Sequence, residues 1–289
     1  MPSKFSSTCS IFISVTSIVW GGNWAHWRGP AGNGSSPDAK PPIEWSATKN
    51  IKWKVPVPGR GSGSPVIWEN KVFVVSAVAA KGGRGFDGER LSKLAFKLFC
   101  FNRETGKILW QKTTITATPH QGTHSTNGFA SASPCTNGKH VYAHFGSRGL
   151  YCYTMDGELV WKRDDFGKMD TRNAFGEGSS PTLEGNKILV PWDHEGPSSL
   201  YALDCLTGKT IWQTKRDEPT NWCTPFVVEN SGAKQVVMNG QTCIRGYELE
   251  TGKELWRIAG KAQRPVTSAV AINDLVIAVS YTHLTLPTI

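Results

Sequence analysis

The sequence predicts an all-β fold: a β-propeller with four-stranded antiparallel blades, truncated to about four blades plus part of a fifth. Two observations predict it: a strand, glycine-turn, strand unit that recurs four times, and a Ser-Pro or Thr-Pro pair in phase with it. The 12 Trp residues agree with extensive packing between strands. The 39% hydrophobic content excludes a disordered chain, and no apolar run reaches the ~18 residues of a membrane span.

The repeated unit ends in a tryptophan that follows a glycine turn. Its four copies end at Trp110, Trp161, Trp212 and Trp256. Glycine supplies the positive φ of a tight hairpin, and alternating residues such as Leu159 and Trp161 fit one face of a strand. Because a four-stranded unit cannot cover both of its faces alone, we expect radial stacking in which each indole packs against the neighbouring blade.

The second repeated feature opens each unit. Its copies are Ser64-Pro65, Ser133-Pro134, Ser180-Pro181 and Thr224-Pro225, and a fifth unit begins at Ser268. The intervals are 69, 47, 44 and 44 residues. An insertion at about Ala80–Lys97 explains the long first interval, and we expect a solvated loop or a short helix there.

The ends of the chain depart from the repeat. Lys4 and the apolar stretch Ile11–Trp20 are typical of an export signal, so residues 1–22 are predicted to be a signal peptide. The protein is therefore predicted to be exported, to the periplasm or the cell exterior. Residues 23–58 are predicted to be an N-terminal segment whose strand, with Trp53, closes the last blade. Residues 59–280 form the predicted blades, and residues 281–289 are predicted to be a non-native tail.

Charge and cysteine usage narrow the function classes. The net charge is +9, which favours attraction to acidic surfaces such as anionic lipid or wall polymer. The basic residues are scattered rather than gathered on one face, so no nucleic-acid partner is expected. No CxxC pair occurs, which argues against a zinc or dithiol site. We expect a monomer.

The repeat carries a family resemblance. The stretch Tyr201–Trp212 reads Ala-x-Asp-x-x-Thr-Gly-Lys-x-x-Trp, which resembles the repeat of the pyrroloquinoline-quinone (PQQ)-like β-propellers. Trp24–Pro30 and Trp192–Gly196 are similar to segments of exported propellers of planctomycete-type bacteria, which themselves resemble outer-membrane assembly factor B. The superfamily also contains quinoprotein dehydrogenases. The resemblance therefore implies a propeller fold and leaves both a scaffold and an enzyme open.

Polar and aromatic residues cluster near matching ends of the predicted blades, where the innermost strands begin. We expect them to face the mouth of the central channel and to bind a cation, a sugar or a peptide. The alternative is that they cap strands and satisfy one another between blades. The candidates are His124, Asn127, Arg172, Asn173, Glu177, Asp193, His194, Glu195, Asp217, Glu218 and Trp222.

Three functions follow from this interpretation. The first is an exported, non-catalytic binding or scaffold module, possibly in envelope protein assembly, with an envelope protein or polysaccharide as its partner. The second is a PQQ- and calcium-dependent quinoprotein oxidoreductase, which the resemblance alone implies; the adjacent cysteine pair of those enzymes is missing here. The third is a carbohydrate-binding propeller. No catalytic residue and no metal ligand is assigned.

Overall fold

The computed structural model describes residues 22–37, 39–80, 92–260, 265–272 and 275–279. The predicted signal peptide, apart from Gly22, and the predicted tail lie outside these residues. The described part contains 18 strands and no α-helix, and no helix there has the length and hydropathy of a membrane span.

The strands form four four-stranded antiparallel sheets and one two-stranded sheet, each from consecutive strands. The first sheet contains β1 (Val66–Trp68), β2 (Lys71–Ala79), β3 (Leu94–Asn102) and β4 (Ile108–Ala117). The second contains β5 (Cys135–Thr136), β6 (His140–His144), β7 (Leu150–Thr154) and β8 (Leu159–Arg163). The third contains β9 (Thr182–Glu184), β10 (Lys187–Trp192), β11 (Ser198–Asp204) and β12 (Thr210–Arg216). The fourth contains β13 (Phe226–Asn230), β14 (Ala233–Met238), β15 (Cys243–Glu248) and β16 (Glu254–Ala259), and the last contains β17 (Val270–Ile272) and β18 (Leu275–Ile277).

These sheets are the blades of a propeller, which confirms the predicted fold class. The first strands of neighbouring blades lie side by side, β1 next to β5 and β5 next to β9. The first strands therefore surround the axis, and the fourth strands form the outer rim. Three buried clusters lie between successive blades: Phe73 with Tyr151, Cys152 with Val190, and Leu200 with Val236. The hydrophobic core is thus divided among the seams.

Each seam is closed by a tryptophan on the glycine turn of the next blade. The indole nitrogen of Trp110 donates to the Met155 carbonyl at 3.0 Å, and that of Trp161 donates to the Cys205 carbonyl at 3.1 Å. Trp212 repeats the contact with the Leu249 carbonyl at 3.0 Å. The turn glycines have φ near +70° to +86°, and a Cβ on any of them would lie within 2.8 Å of the indole. Glycine is required here both by its φ and by this close approach.

Trp53 and Trp256 occupy the two ends of this series. The Trp53 indole nitrogen donates to the Arg103 carbonyl at 2.7 Å and its ring covers Gly106, as the other indoles cover their glycines. Residues 51–57 form no strand in the described part of the chain, so the closing strand stays a prediction. Trp256 instead packs within its own blade, against Gly246, with a 2.8 Å hydrogen bond to Gln235.

Hydrogen bonds within the turn explain why the Asp-x-x-Thr-Gly-Lys sequence recurs. A carboxylate oxygen of Asp204 accepts the backbone N–H of Thr207 at 2.8 Å and its hydroxyl at 2.7 Å. Asn102 makes the same bonds to Thr105 in the first blade. The side chain at the first position thus closes the turn, and Gly208 then turns the chain back.

One feature of the outer strands differs from the prediction. In each of the four complete blades the register between the third and fourth strands shifts by one residue directly before the tryptophan. This β-bulge interrupts the period-2 alternation. Leu159, which we expected on the same face as Trp161, is therefore 54% exposed, whereas Trp161 is partly buried.

The insertion also differs from the prediction in part. Residues 81–91 lie outside the described residues. Leu94–Lys97, which we placed in a loop or helix, belongs to β3 and pairs with β2 and β4. Leu94 and Phe96 are apolar and buried in this extension, which explains why the ladder continues through it.

Candidate functional site at the channel mouth

The anchor hydroxyls join the blades around the axis. The backbone N–H of Ser64 donates to the Ser133 hydroxyl at 2.8 Å, and the N–H of Ser133 donates to Ser180 at 2.9 Å. Ser180 donates in the same way to Thr224 at 3.1 Å, and Thr224 to Ser268 at 2.8 Å. We call the four accepting groups the seam hydroxyls (Ser133, Ser180, Thr224 and Ser268). They link five successive blades at one level of the channel.

Residues 24–32 cross the channel below this level, and we call them the N-terminal plug. Its backbone pairs with Ile67 of β1 at 2.8 Å in both directions, and the Ala25 carbonyl accepts the N–H of Thr136 of β5 at 3.1 Å. His26 contacts Thr182 of β9 at 3.3 Å. Burial lowers the pKa of His26 to about 4, so its ring is neutral at physiological pH.

The same segment reaches the remaining blades. Gly32 lies against the ring of Phe226 of β13, and the Arg28 guanidinium reaches the Ser268 carbonyl at 3.5 Å. One short segment therefore touches the innermost part of all five blades. In the first four blades it contacts residues two to three positions after the anchor residue, and in the fifth blade it contacts Ser268 itself.

The open end is a depression of about 590 Å³, which we call the channel cup. Trp27 of the plug lies at its base, because the plug lies deeper than the seam hydroxyls that also line it. The Arg28 guanidinium lies 4.4 Å from the Trp27 ring centre and does not line the cup.

One wall of the cup is aromatic. The rings of His124 and Phe175 meet edge to face at 5.0 Å, and those of Phe175 and Trp222 are tilted with centres 6.5 Å apart. A 2.8 Å hydrogen bond from the Trp222 indole to the Gly176 carbonyl fixes the ring. Asn127 supports the wall through its bond to the Phe175 carbonyl at 2.9 Å. Of the predicted site residues, the structure brings His124, Asn127 and Trp222 together here.

Glu177 lies beside the cup in a separate cavity. Its carboxylate accepts the N–H of Ser147 at 2.6 Å and also the Ser147 hydroxyl, and it occupies the space where a Cβ on Gly146 would be. Burial raises the pKa of Glu177 to about 7. The cavity holds only about 40 Å³, room for a few water molecules, and His144 also lines it.

Asp193 forms a buried ion pair. Arg216 contacts both of its carboxylate oxygens, at 2.8 and 3.0 Å, and Asn221 adds a bond at 3.1 Å. Burial disfavours the charged form of Arg216, but the attraction of the Asp193 carboxylate is larger than this effect and raises the pKa of Arg216. The hydrogen bonds of the Asp193 carboxylate are thus made within the protein, at the seam between the third and fourth blades.

Glu218 and Asp217 share another arginine. Glu218 is buried and accepts a bond from Arg245 at 2.7 Å and from the N–H of Thr242 at 2.9 Å. Asp217 is exposed and contacts the same guanidinium at 2.5 Å. These residues line a shallow depression on the third and fourth blades, away from the cup.

The remaining predicted residues lie around these pairs. His194 and Glu195 line the same depression, and Glu195 accepts the Thr220 hydroxyl at 2.8 Å. Arg172 and Asn173 form an exposed 3-10 turn that does not line the cup. The structure therefore distributes the predicted residues over five places instead of one channel mouth: the cup, the cavity with Glu177, the buried pair of Asp193, the depression and the exposed turn. Their role in ligand binding stays a prediction.

The channel cup and the cavity with Glu177 do not fit PQQ with calcium. The quinone is a tricarboxylate, and calcium prefers carboxylate and amide oxygens. No Lys, Arg, Asp or Glu of the described chain lines the cup, and the Asn127 amide is fully bonded. The cavity with Glu177 is too small, and no group of three or more His, Cys, Asp or Glu in the described ranges is arranged to hold a metal.

Sequence reasoning missed two parts of the site. Trp27 lies within the resembling segment Trp24–Pro30 but was not a predicted site residue. The seam hydroxyls mark the start of each blade and were not predicted to line a site. The hydroxyls carried a signal, because Ser or Thr recurs at all five anchors. The plug carried none, because it has no counterpart in the repeat.

The fold and its repeat place this protein in the class of PQQ-like β-propellers. The family model described as "Outer membrane protein assembly factor BamB" matches residues 95–284, more than half of the chain. The chain belongs to this family. No curated protein sequence matches it.

Solved structures are similar to the chain at low sequence identity. A europium-containing methanol dehydrogenase is 12% identical with a TM-score of 0.55, over 83% of this chain and 49% of that one. BamB from Moraxella catarrhalis is 14% identical with a TM-score of 0.48, over 79% and 59%. Quinohemoprotein alcohol dehydrogenase from Comamonas testosteroni is 11% identical with a TM-score of 0.46, over 71% and 35%. The chain thus spans about three fifths or less of each of these structures.

Proposed function

We propose that the protein is an exported, non-catalytic scaffold that binds a cell-envelope protein along its outer rim. Membership of a family described by an outer-membrane assembly factor supports this function and is compatible with export. The rim itself supplies the observation that carries the proposal.

The bulge directly before the tryptophan of each fourth strand presents one apolar side chain to solvent. These rim residues are Leu109, Val160, Ile211 and Leu255, which are 48%, 42%, 42% and 46% exposed. Single exposed apolar residues are normal on any protein surface, but the same position exposed in four successive blades is a pattern. The bulges also disturb the edge ladders, which disfavours uncontrolled edge-to-edge pairing of copies.

A regular row of apolar side chains suits a partner with repeated apolar residues of its own. The unfolded strands of an outer-membrane β-barrel alternate apolar and polar residues and meet this description. The proposed partner is therefore an envelope protein on its way to the outer membrane, or the machinery that receives it.

A photoreactive residue at Val160 or Ile211 tests this function in an outer-membrane extract. Ile43, which is 99% exposed and lies outside the blades, is the matched control position. We expect covalent adducts with an integral outer-membrane protein from the rim positions only. Adducts of equal yield from Ile43, or none from the rim, would contradict the proposal.

A lysine series gives a second readout. Leu109, Val160, Ile211 and Leu255 are changed together to Lys, and the control carries Lys at four exposed apolar positions away from the rim. The control positions are Ile43, Leu206, Leu275 and Val279. Loss of adducts in the rim variant alone supports the function, because both variants add the same charge.

A further inference from the structure

We infer that the channel cup is a binding site for a neutral oligosaccharide. This goes beyond the proposed rim function and uses different residues. It rests on the charge of the lining, the direction of its hydrogen-bond donors, its aromatic surfaces and its size.

The lining holds a single ionisable side chain, His124, among the described residues of a strongly basic protein. The net charge is +9, yet no ionisable carboxylate, ammonium or guanidinium group of the described residues lines the cup. Asp193 and Glu218 are neutralised elsewhere by Arg216 and Arg245. A charged ligand would lose its hydration on entering the cup and would find no opposite charge there. A neutral ligand does not bear the desolvation cost of a charge.

The seam hydroxyls present donors to the cup. Each hydroxyl oxygen accepts the backbone N–H of the preceding blade, as Ser180 accepts Ser133 at 2.9 Å and Thr224 accepts Ser180 at 3.1 Å. Ser133 and Ser180 make no side-chain donation within the described chain, and they line the cup with only a small exposed surface, 3% and 4% of each residue. A ligand that satisfies their O–H groups must carry acceptor oxygens, as sugar hydroxyl and acetamido groups do.

The aromatic faces supply the second half of sugar recognition. Trp27 at the base and Trp222 on the wall are partly exposed, and both rings are held in place. A pyranose presents C–H groups on its faces and oxygens around its edge. It can thus stack on an indole while its edge accepts bonds from the hydroxyls. The volume of about 590 Å³ lies within the ~300–1,000 Å³ of small-molecule sites and exceeds that of one sugar ring.

The test titrates the full chain with N,N′-diacetylchitobiose and with cellobiose, by calorimetry and by saturation-transfer NMR. At least one sugar should bind, with transfer to the protons of its C–H faces. Trp222→Ala should weaken binding about tenfold, consistent with the loss of one stacked ring at ~1.4 kcal/mol per tenfold. Trp45→Ala is the control, because Trp45 is 67% exposed and lies outside the cup.

Two further variants distinguish a loss of sugar binding from a loss of folding. Trp222→Phe retains an aromatic face and should retain most of the affinity. His124→Ala removes an exposed ring that bonds Thr126 and meets the Phe175 ring edge to face, and should weaken binding several-fold with only a small change in the melting temperature. The inference is overturned if neither sugar binds at about 10 mM. It is equally overturned if glucuronate binds better than the neutral sugars, or if Trp222→Ala and Trp45→Ala bind alike. None of these results depends on the rim.

Discussion

The backbone N–H of Ser133 donates to the hydroxyl of Ser180 at 2.9 Å, and this bond joins the second blade to the third. Both residues are almost fully buried, at 3% and 4% exposure. The bond is one of four equivalent bonds around the axis, so the residue that opens each blade also fastens it to the preceding one. The Ser-Pro pair therefore has a structural role that local strand propensity does not explain.

Replacing Ser180 with Ala should destabilise the protein by roughly 1–3 kcal/mol, because the N–H of Ser133 is left buried without an acceptor. Ser180→Thr keeps the oxygen and should cost less. Urea denaturation measures both, with the exposed Thr48→Ala as control. Equal stability of Ser180→Ala and the control would show that the seam bond contributes nothing.

Trp212→Ala should cost about 3–5 kcal/mol, since the indole is 8% exposed and fills the seam between the third and fourth blades. Trp256→Ala should cost less, because Trp256 packs only within its own blade in the described chain. Thermal and chemical unfolding of the two variants compare these costs. A larger loss for Trp256 would contradict the assignment of the tryptophans to the seams.

Gly252→Ala separates backbone strain from steric contact when it is compared with Gly232→Ala. Both glycines have positive φ, +71° and +79°. A Cβ on Gly252 would lie 2.4 Å from the Trp212 ring, whereas a Cβ on Gly232 meets nothing within 4 Å. We expect a loss of about 1–2 kcal/mol for Gly232 from φ alone, and a clearly larger loss for Gly252. Similar losses in the denaturation midpoints would argue against a tight seam.

Glu177 should make stability fall as the pH rises. Burial raises its folded-state pKa from 4.5 to about 7, so the folded state holds more protons than the unfolded state between these values. The stabilisation is complete below about 4.5 and is lost by about 7, and it amounts to roughly 2–3 kcal/mol. Glu177→Gln keeps an oxygen that accepts the N–H of Ser147 and removes the titration; the loss of the bond from the Ser147 hydroxyl is an offset that does not change with pH.

The measurement is the difference in unfolding free energy between wild type and Glu177→Gln across this pH range. The subtraction removes His26 and His144, whose pKa values are lowered to about 4 by burial and which act in the opposite direction below 6.5. A difference that does not change with pH would show that Glu177 is not buried as described.

The blades could be predicted from the sequence because the residues that build them repeat. A tryptophan equivalent to Trp161 and a turn glycine equivalent to Gly208 occur in every complete unit, so the structure of one copy predicts that of the others. The bulge that exposes Val160 could not be predicted from alternation, because it interrupts the alternation itself.

The site was predictable only in part. His124 and Trp222 lie at the cup because they precede first strands, as expected. Asp193 does not lie at the cup, because its carboxylate pairs with Arg216. The position of Arg216 follows from the register of β11 and β12. The plug depends on contacts as distant as Arg28 with Ser268, 240 residues apart, which no local pattern encodes.

The N-terminal plug contacts the innermost strands and so forms the base of the cup. The backbone N–H groups of Ile67 and Thr136 donate to the plug carbonyls of Trp24 and Ala25. NMR-detected hydrogen exchange of the full chain tests the claim most directly. We predict that these two amides exchange as slowly as Val190 in the ladder between β10 and β11. Exchange of both at the rate of exposed loop amides, with Val190 still protected, would contradict the plug.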